Sequence, residues 1–166
     1  GDHSLNKRNM MSLIKLLENY GAEFTPKNKF YFPLKITSSN FPIGINYEAG
    51  SSAQLKSAAI LAGLNSFGTT EIIEKNVSRE HTENMLKNNK QAFKLSHKKI
   101  KKIQIFGKKY LNKFDIKVPG DPSSAAFFTA LTLLNDNSNL VIRNVGLDSR
   151  RIGFYELLKK SGGKIK

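Results

Sequence analysis

Cysteine is absent from this chain of 166 residues, and so is tryptophan. Without cysteine there can be no disulfide framework, thiolate nucleophile or zinc site with cysteine ligands, and the composition suits a reducing compartment. The longest nearly apolar stretch, residues 125–134, is far shorter than the roughly 20 residues that a membrane-spanning helix needs. We therefore predict a cytoplasmic protein with no membrane partner.

Acidic residues are also few. The chain has 13 of them against 27 lysines and arginines, which gives a formal net charge of +14. Such an excess favours an anionic partner, whether a phosphate, a carboxylate, a nucleic acid or an acidic surface. Many lysines fall in one stretch among isoleucines, and this pattern predicts a hairpin with solvated lysines on its outer face. These lysines are Lys94, Lys98, Lys99, Lys101, Lys102, Lys108, Lys109 and Lys113.

The length of the chain suits one ordinary domain or two small lobes. Apolar residues at helical spacing predict helices, and aromatic or β-branched runs bounded by turn residues predict strands. The predicted helices span residues 9–20, 50–64, 80–86, 123–134 and 152–160. The predicted strands span residues 30–36, 43–47, 70–73, 92–95, 100–106, 114–118 and 140–143.

A short motif occurs twice in this order of elements. Ser51-Ser52-Ala53 returns as Ser123-Ser124-Ala125. Arg79, which follows the next strand, has a counterpart in Arg150 or Arg151. The self-similarity predicts a duplicated unit of strand, helix, strand, helix and strand.

The helix predicted over residues 50–64 begins with small polar residues and then becomes apolar. The first amides of a helix have no partner within it and lie at the positive end of its dipole, so a small start lets a phosphate approach the backbone. Serine is also an ordinary helix cap. Gln54 and Lys56 add long polar side chains beside Ser51 and Ser52, and these side chains could contact a ligand. We therefore favour a binding role at this helix start.

The residues around Ser123 and Ser124 favour an ordinary helix cap over a binding role. Asp121-Pro122 comes just before Ser123-Ser124, and it is typical of a helix cap followed by proline in the first helical position. We therefore predict a capping role there.

Two arginines lie in polar loops that enter predicted helices, Arg8 in GDHSLNKRNM and Arg79 in NVSREHTENML. An arginine at such a place can hold a phosphate or carboxylate through two parallel hydrogen bonds. It can equally pair with a nearby carboxylate of the chain itself, and the residues alone leave both roles open.

Four segments together resemble one family. GDHSLNKRNM, GSSAQLKSAAILAGL, SREHTENML and VPGDPSSAAFF resemble, in order and spacing, the middle portion of the EPSP synthases, which are 3-phosphoshikimate 1-carboxyvinyltransferases. The resemblance covers residues 1–166 and is closer to the bacterial glyphosate-tolerant class. It implies an α+β fold of two lobes built from repeated βαβαββ units, with helices inside and sheets outside, of which this chain holds an incomplete part. Residues 1–119 would belong to the first, amino-terminal lobe, and residues 120–166 would begin the second.

The resemblance also implies a reaction, in which the enolpyruvyl group of phosphoenolpyruvate moves to the 5-hydroxyl of shikimate 3-phosphate. Ser52 and Ala53 would meet the phosphate of shikimate 3-phosphate, and Gln54 would lie between the two substrates. Arg79 would help to hold the shikimate phosphate, and Arg8 would hold phosphoenolpyruvate. No cofactor and no metal are implied.

The sequence departs from the family in three ways. Asn9 stands where the family has proline, which predicts a looser helix start, and Glu80 replaces the usual aspartate. The family's amino-terminal Lys-Ser-Arg group and its carboxy-terminal acid, lysine and arginine set have no counterpart here. We therefore expect a fragment that carries binding residues but no catalytic ones, is inactive alone, and has the remaining portion of the same enzyme as its partner.

Three alternatives remain. The sister transferase that acts on UDP-N-acetylglucosamine carries a cysteine in the loop matching GDHSLNKRNM, and this chain has none. A basic nucleic-acid-binding module would explain the net charge, although the aromatic residues form no stacking motif. The chain could also act only as a folding or assembly unit.

His3, His81 and His97 lack the spacing of metal ligands, and we expect surface or capping roles for them.

Overall fold

The computed structural model describes residues 2–26, 29–97 and 100–166, with only the backbone of His97. The chain divides into two compact units, one ending at Lys113 and the other beginning at Phe114. In the described ranges, no helix is long and apolar enough to cross a membrane.

The first unit contains both helices and strands, and its longer elements confirm the sequence prediction within a few residues. Its helices are α1 (His3–Asn6), α2 (Met11–Asn19), α3 (Ala53–Asn65) and α4 (His81–Leu86). Its strands are β1 (Glu23–Thr25), β2 (Lys35–Thr37), β3 (Asn46–Ala49), β4 (Thr69–Glu74), β5 (Phe93–His97) and β6 (Lys101–Phe106). The sequence does not predict α1 or β1, because three or four residues are too few to show a period. The strand predicted over residues 30–36 is wrong for most of its length, since residues 30–34 are not a strand and only β2 follows them.

Elements β3, α3, β4, α4, β5 and β6 form one complete βαβαββ unit. Their sheet has the strand order β3-β4-β6-β5. β3 runs parallel to β4, so the chain between them must cross over, and α3 makes that crossover. β6 pairs antiparallel with both β4 and β5, while β1 and β2 form a separate antiparallel pair. The predicted α+β class is confirmed.

The core of the first unit lies between α3 and the four-stranded sheet. Ala59 and Ile60 of α3 are fully buried, as are Ile72 of β4 and Ile103 of β6. Gly63 allows the helix to lie close to the sheet, because a Cβ atom there would come within 2.9 Å of the Thr70 side chain. The burial of this apolar surface is the main force that holds α3 in place.

Helix α2 packs against α3 through a buried tyrosine. The Tyr20 hydroxyl donates to the carbonyl oxygen of Ala59 at 2.8 Å and lies 3.2 Å from Thr70 Oγ1. Gly21 follows α2 with a φ of +89°, and this conformation ends the helix where the sequence predicts a stop. Tyr20 thus joins α2, α3 and β4 at a single point.

The second unit contains α5 (Pro122–Leu133) and α6 (Gly153–Lys160), and both predicted helices are confirmed. The Tyr155 hydroxyl donates to the carbonyl oxygen of Pro122 and so joins the two helices. The strands predicted over residues 114–118 and 140–143 are wrong, since both segments are fully described and neither is a strand. Their apolar residues match a strand pattern, but a strand also needs a neighbour, and the pairing here is one bridge between Gly120 and Val145.

The lysine-rich hairpin is present as β5 and β6, but one lysine lies on the opposite face from the predicted one. Lys101 is buried on the same face of β6 as Ile103 and Ile105, whereas Lys102 is on the outer face and pairs with Glu71 at 2.5 Å. Lys98 and Lys99 lie outside the described residues.

Candidate anion-binding site

Helix α3 begins with a serine cap, as its small polar start predicts. Ser52 has extended backbone angles, and its Oγ accepts a hydrogen bond from the amide of Leu55 at 3.3 Å. The hydroxyl hydrogen of Ser52 stays available to a ligand. Among the described residues, the amides of Ala53 and Gln54 have no hydrogen-bond partner. The positive end of α3 therefore offers unused donors.

A cleft of about 930 Å³ opens beside this helix start. Its wall combines the segment around α1 and α2, the loop before β2, and the first turns of α3. The lining residues are Leu5, Asn6, Arg8, Asn9, Met10, Ser12, Leu13, Phe32, Pro33, Leu34, Ser52, Gln54, Leu55 and Ala58. Three of the five predicted site residues, Arg8, Ser52 and Gln54, thus share one cleft.

Two polar side chains of this cleft make no hydrogen bond or ion pair with other described residues of the chain. Arg8 and Gln54 are exposed, and neither side chain makes a hydrogen bond or an ion pair within the described ranges. The backbone that carries Arg8 is nevertheless held, because the Met10 amide donates to the carbonyl oxygen of Phe30 at 2.7 Å. A held backbone with an unpartnered guanidinium suits recognition of a carboxylate or phosphate.

Asn9 corrects the expectation of a loosened helix start. Its Oδ1 accepts a hydrogen bond from the Met11 amide at 2.8 Å, and its Nδ2 lies 3.4 Å from the Tyr31 hydroxyl. The asparagine side chain therefore satisfies the amide of Met11, the first residue of α2.

Ala53 and Arg79 are not part of the cleft lining. Ala53 is the first residue of α3 and is partly buried. Arg79 lies in the loop between β4 and α4, with an exposed side chain that has no partner in the part of the chain that the structure describes.

The loop that carries Arg79 nevertheless leaves the sheet beside the start of α3. Ala49, the last residue of β3, pairs with Glu74, the last residue of β4, and the two strands are parallel. The turn that leads to Ser52 and the loop that leads to Arg79 therefore emerge from the same edge of the sheet. The carboxyl edge of parallel strands is a common place for ligands.

Lys56 has a different role from the predicted one, because it does not reach the cleft. Its side chain is fully buried, with Nζ 3.0 Å from Glu74 Oε1 and 2.7 Å from Glu83 Oε1. Lys101 Nζ lies 2.9 Å from Glu74 Oε2 and 2.9 Å from Glu83 Oε1. We call these four residues, Lys56, Glu74, Glu83 and Lys101, the buried charge cluster.

The protonation of the cluster follows from its hydrogen bonds. Burial by itself raises the pKa of Glu74, but donors from Ser78, Lys101 and Lys56 outweigh burial and lower that pKa to about 2. Burial likewise opposes the charge on Lys101, yet bonds to Glu80, Glu74 and Glu83 raise its pKa above the ordinary value. Glu74 and Lys101 are therefore both charged at neutral pH.

The sequence does not predict this cluster, because its members come from four elements, α3, β4, α4 and β6. One signal was present in the alternation of β6, where Lys101 shares its face with Ile103 and Ile105. Lys56 gave a second signal, since it falls four residues before Ile60 on the apolar side of α3.

Helix α5 starts differently from α3, which confirms the predicted cap of the second unit. Asp121 is the N-cap and accepts from the Ser123 amide at 3.1 Å, and Pro122 occupies the first turn. Arg151 donates to Asp121 Oδ1 and, at 2.8 Å, to Ser123 Oγ. The Ser123 amide lowers the pKa of Asp121, and Arg151 adds to the effect. The start of α5 therefore already holds a carboxylate from its own chain.

The serine motifs of the two helices are not in equivalent positions. Ser52 is the cap of α3, whereas its counterpart Ser124 lies inside the first turn of α5. Of the two starts, the one at α3 is left without an anionic side chain of its own.

In the ranges 2–26, 29–97 and 100–166, no group of three or more His, Asp or Glu side chains is placed to hold a metal ion.

Comparison with known proteins gives a consistent result. The family model of EPSP synthase (3-phosphoshikimate 1-carboxyvinyltransferase) matches residues 1–166. The 3-phosphoshikimate 1-carboxyvinyltransferase of Novosphingobium aromaticivorans is 40% identical over 168 residues, and that of Bacillus subtilis is 41% identical over 169 residues. Each alignment covers 99% of this chain and 38% of the relative.

Solved structures agree with the sequence comparison. An EPSP synthase structure from Acinetobacter baumannii superposes with a TM-score of 0.72 at 36% identity. It covers 98% of this chain, which in turn covers 36% of that structure. The chain thus spans little more than a third of the length of these relatives, and along all of its own length it belongs to the EPSP synthase family.

Proposed function

We propose that the first unit supplies part of the substrate site of an enolpyruvyl transferase, which joins phosphoenolpyruvate to the 5-hydroxyl of shikimate 3-phosphate. The observation that carries the proposal is the cleft shared by Arg8, Ser52 and Gln54, in which Arg8 and Gln54 have no partners among the described residues. Family membership supplies the substrates, and the cleft supplies donors for anionic groups.

The proposed roles follow the donors that each residue offers. Ser52 and Ala53, at the start of α3, receive the phosphate of shikimate 3-phosphate on free amides and a hydroxyl. Gln54, with a donor and an acceptor on one amide, lies between the two substrates. Arg8 and Arg79 hold phosphoenolpyruvate and the shikimate phosphate respectively, each with a planar fork that fits such oxygens.

The rest of the proposal concerns what lies beyond this site. Residues 1–119 belong to the first lobe and residues 120–166 begin the second. The proton-transfer groups come from the remaining portion of the same enzyme, so the 166-residue chain binds substrate without turnover. A cytoplasmic location stays a prediction from the absence of cysteine.

The experiment is a titration of the chain with shikimate 3-phosphate, followed by NMR of the backbone amides. We expect saturable shifts at residues 50–54 and at the loop that carries Arg79. Changing Arg8 to alanine leaves this response nearly intact but weakens binding of phosphoenolpyruvate by about 1–3 kcal/mol, the usual cost of losing a hydrogen bond to a charged group. The same change at Arg143, an exposed arginine of the second unit, is the charge-matched control.

The +14 charge supports one competing function, binding of nucleic acid. A generic oligonucleotide would then bind with an affinity that falls steeply with salt. Diffuse shifts over the lysine-rich hairpin with the oligonucleotide, together with no response to shikimate 3-phosphate, would favour this alternative and remove the transferase proposal.

A further inference from the structure

The buried charge cluster has no direct place in the proposed site, because none of its four residues lines the cleft. Its side chains are 0–3% exposed. Moving charges out of water is costly, and buried ion pairs often contribute less to stability than apolar side chains of similar size would. A cluster of this kind calls for a reason other than stability.

The cluster holds the loop in front of α4 on both sides of Arg79. The amide and Oγ of Ser78 both donate to Glu74 Oε1, at 2.7 and 2.6 Å. On the other side, Glu80 Oε1 accepts from Lys101 Nζ at 2.7 Å. The residues before and after Arg79 are therefore both fixed to buried groups, while the arginine side chain itself is exposed.

The same cluster is joined to the start of α3. The Lys56 amide donates to the carbonyl oxygen of Ser52 at 3.1 Å, one helical turn away, and its side chain pairs with Glu74 and Glu83. Next to it, Ser57 Oγ and Thr82 Oγ1 share a hydrogen bond of 2.7 Å between α3 and α4. Charged and polar contacts thus connect the cap of α3 with the loop of Arg79.

We propose that the buried charge cluster, acting through Ser78 and Glu80, positions the Arg79 loop against the start of α3 so that both can engage one phosphate group. The inference rests on the proposed function, since the phosphate is that of shikimate 3-phosphate. Ser78, Glu74 and Lys101 are positioning residues that do not touch the ligand.

The first part of the test needs no ligand. Ser78→Ala removes one of two bonds to Glu74 without placing a new charge in the interior. We expect amide hydrogen exchange at residues 76–80 to become faster by about tenfold, while exchange in β4 stays unchanged. Lys75→Gln is the matched control, because it removes an exposed ion pair with Glu48 from the same loop. Equal exchange in native chain and Ser78→Ala would overturn the inference.

The second part measures affinity for shikimate 3-phosphate in a double-mutant cycle. Ser78→Ala is expected to weaken binding about fivefold when Arg79 is present and to have little effect in the Arg79→Ala background. Ser78→Thr, which keeps the hydroxyl, should restore most of the affinity. Equal losses in the two backgrounds would mean that Ser78 acts on stability alone, and this would also overturn the inference.

The experiments distinguish a failure of the proposed function from a failure of the positioning inference. If the native chain shows no saturable binding, or if Arg79→Ala binds as tightly as the native chain, the proposed function or its assignment of Arg79 fails. The exchange measurement then decides by itself whether the cluster holds the loop. If binding depends on Arg79 but not on Ser78, the positioning inference alone fails.

Discussion

Lys56 and Glu74 form an ion pair of 3.0 Å in which both side chains are completely inaccessible to water. Glu74 also accepts two bonds from Ser78 and faces Lys101. So many donors around one carboxylate make the folded protein depend on its charge.

Acid should therefore destabilise the first unit over a defined range of pH. The pKa of Glu74 falls from an ordinary 4.5 to about 2 on folding, so its stabilising contribution is complete above pH 4.5 and is lost as the pH falls towards 2. The charged groups that face it are Lys56 of α3, Lys101 of β6 and Glu83 of α4, with Glu80 on the far side of Lys101. Urea unfolding at several pH values across that range measures the loss. Glu74→Gln should flatten the pH dependence, and an unchanged slope would contradict this account.

The two buried glutamates should respond differently to amide substitution. Glu74 Oε1 accepts from Lys56 and Ser78, and its Oε2 lies 2.9 Å from Lys101 Nζ, whereas Glu83 contacts both lysines through Oε1 alone. The Oε2 atoms of both residues are buried without a hydrogen-bond partner among the described residues. Glu83→Gln can keep Oε1 on both lysines, and we expect it to cost about 1 kcal/mol, against about 3 kcal/mol or more for Glu74→Gln. The free energy of unfolding in urea measures both. Equal costs would show that the orientation of the carboxylates does not matter.

Tyr20→Phe removes a hydroxyl, carried at the end of α2, that contacts α3 and β4. The Ala59 carbonyl and Thr70 Oγ1 would each lose one buried hydrogen-bond contact, so we expect a loss of about 1–2 kcal/mol in the free energy of unfolding. Tyr31→Phe is the control, because that hydroxyl is at the surface and its contact with Asn9 is 3.4 Å long. If Tyr31→Phe lowers the free energy of unfolding as much as Tyr20→Phe does, the buried hydrogen bonds of Tyr20 are not the cause of the loss.

Asn9 should be replaceable only by residues that keep a side-chain acceptor. Asn9→Ala leaves the Met11 amide unsatisfied and is expected to cost about 1 kcal/mol, whereas Asn9→Asp keeps the bond and adds a favourable charge at the helix start. Thermal unfolding followed by circular dichroism compares the two variants. Similar losses for both would mean that the bond from the Met11 amide to the Asn9 side chain does not stabilise the start of α2.

Asp121→Ala should loosen the start of α5. The substitution removes the acceptor of the Ser123 amide and the partner of Arg151, so the first turn of α5 should exchange its amides faster. Asp136→Ala, at an exposed acid beyond the end of α5, is the matched control. Unchanged exchange in Asp121→Ala would show that proline at the first turn is sufficient.

The elements that the sequence predicts well are those with local causes. The Gly21 stop, the Ser52 cap and the Asp121-Pro122 start are written in a few neighbouring residues, and the structure contains all three. The segments 114–118 and 140–143 have an equally suitable local pattern, but a strand is stabilised by a second strand, and no local pattern reports whether one is present.

The candidate site likewise contains features that follow from neighbouring residues and features that depend on tertiary packing. Arg8, Ser52 and Gln54 each stand in or beside a helix start, the residues favour a binding role at the start of α3, and the family resemblance adds Arg8. The structure places the three in one cleft, and their binding roles stay a prediction. The partners of Lys56 could not be predicted, because Glu74 and Glu83 reach it from other elements through tertiary packing. The lysine therefore looked like a ligand-binding group although it is an interior one.

The hydrogen bond between Tyr20 and Ala59 has a further consequence for the cleft, because the starts of α2 and α3 both form part of the cleft wall. Fastening these helices to each other at a buried point away from the opening sets the width of the cleft before any ligand arrives. A receptor whose walls are preorganised loses little conformational entropy on association, so more of the contact energy remains as affinity.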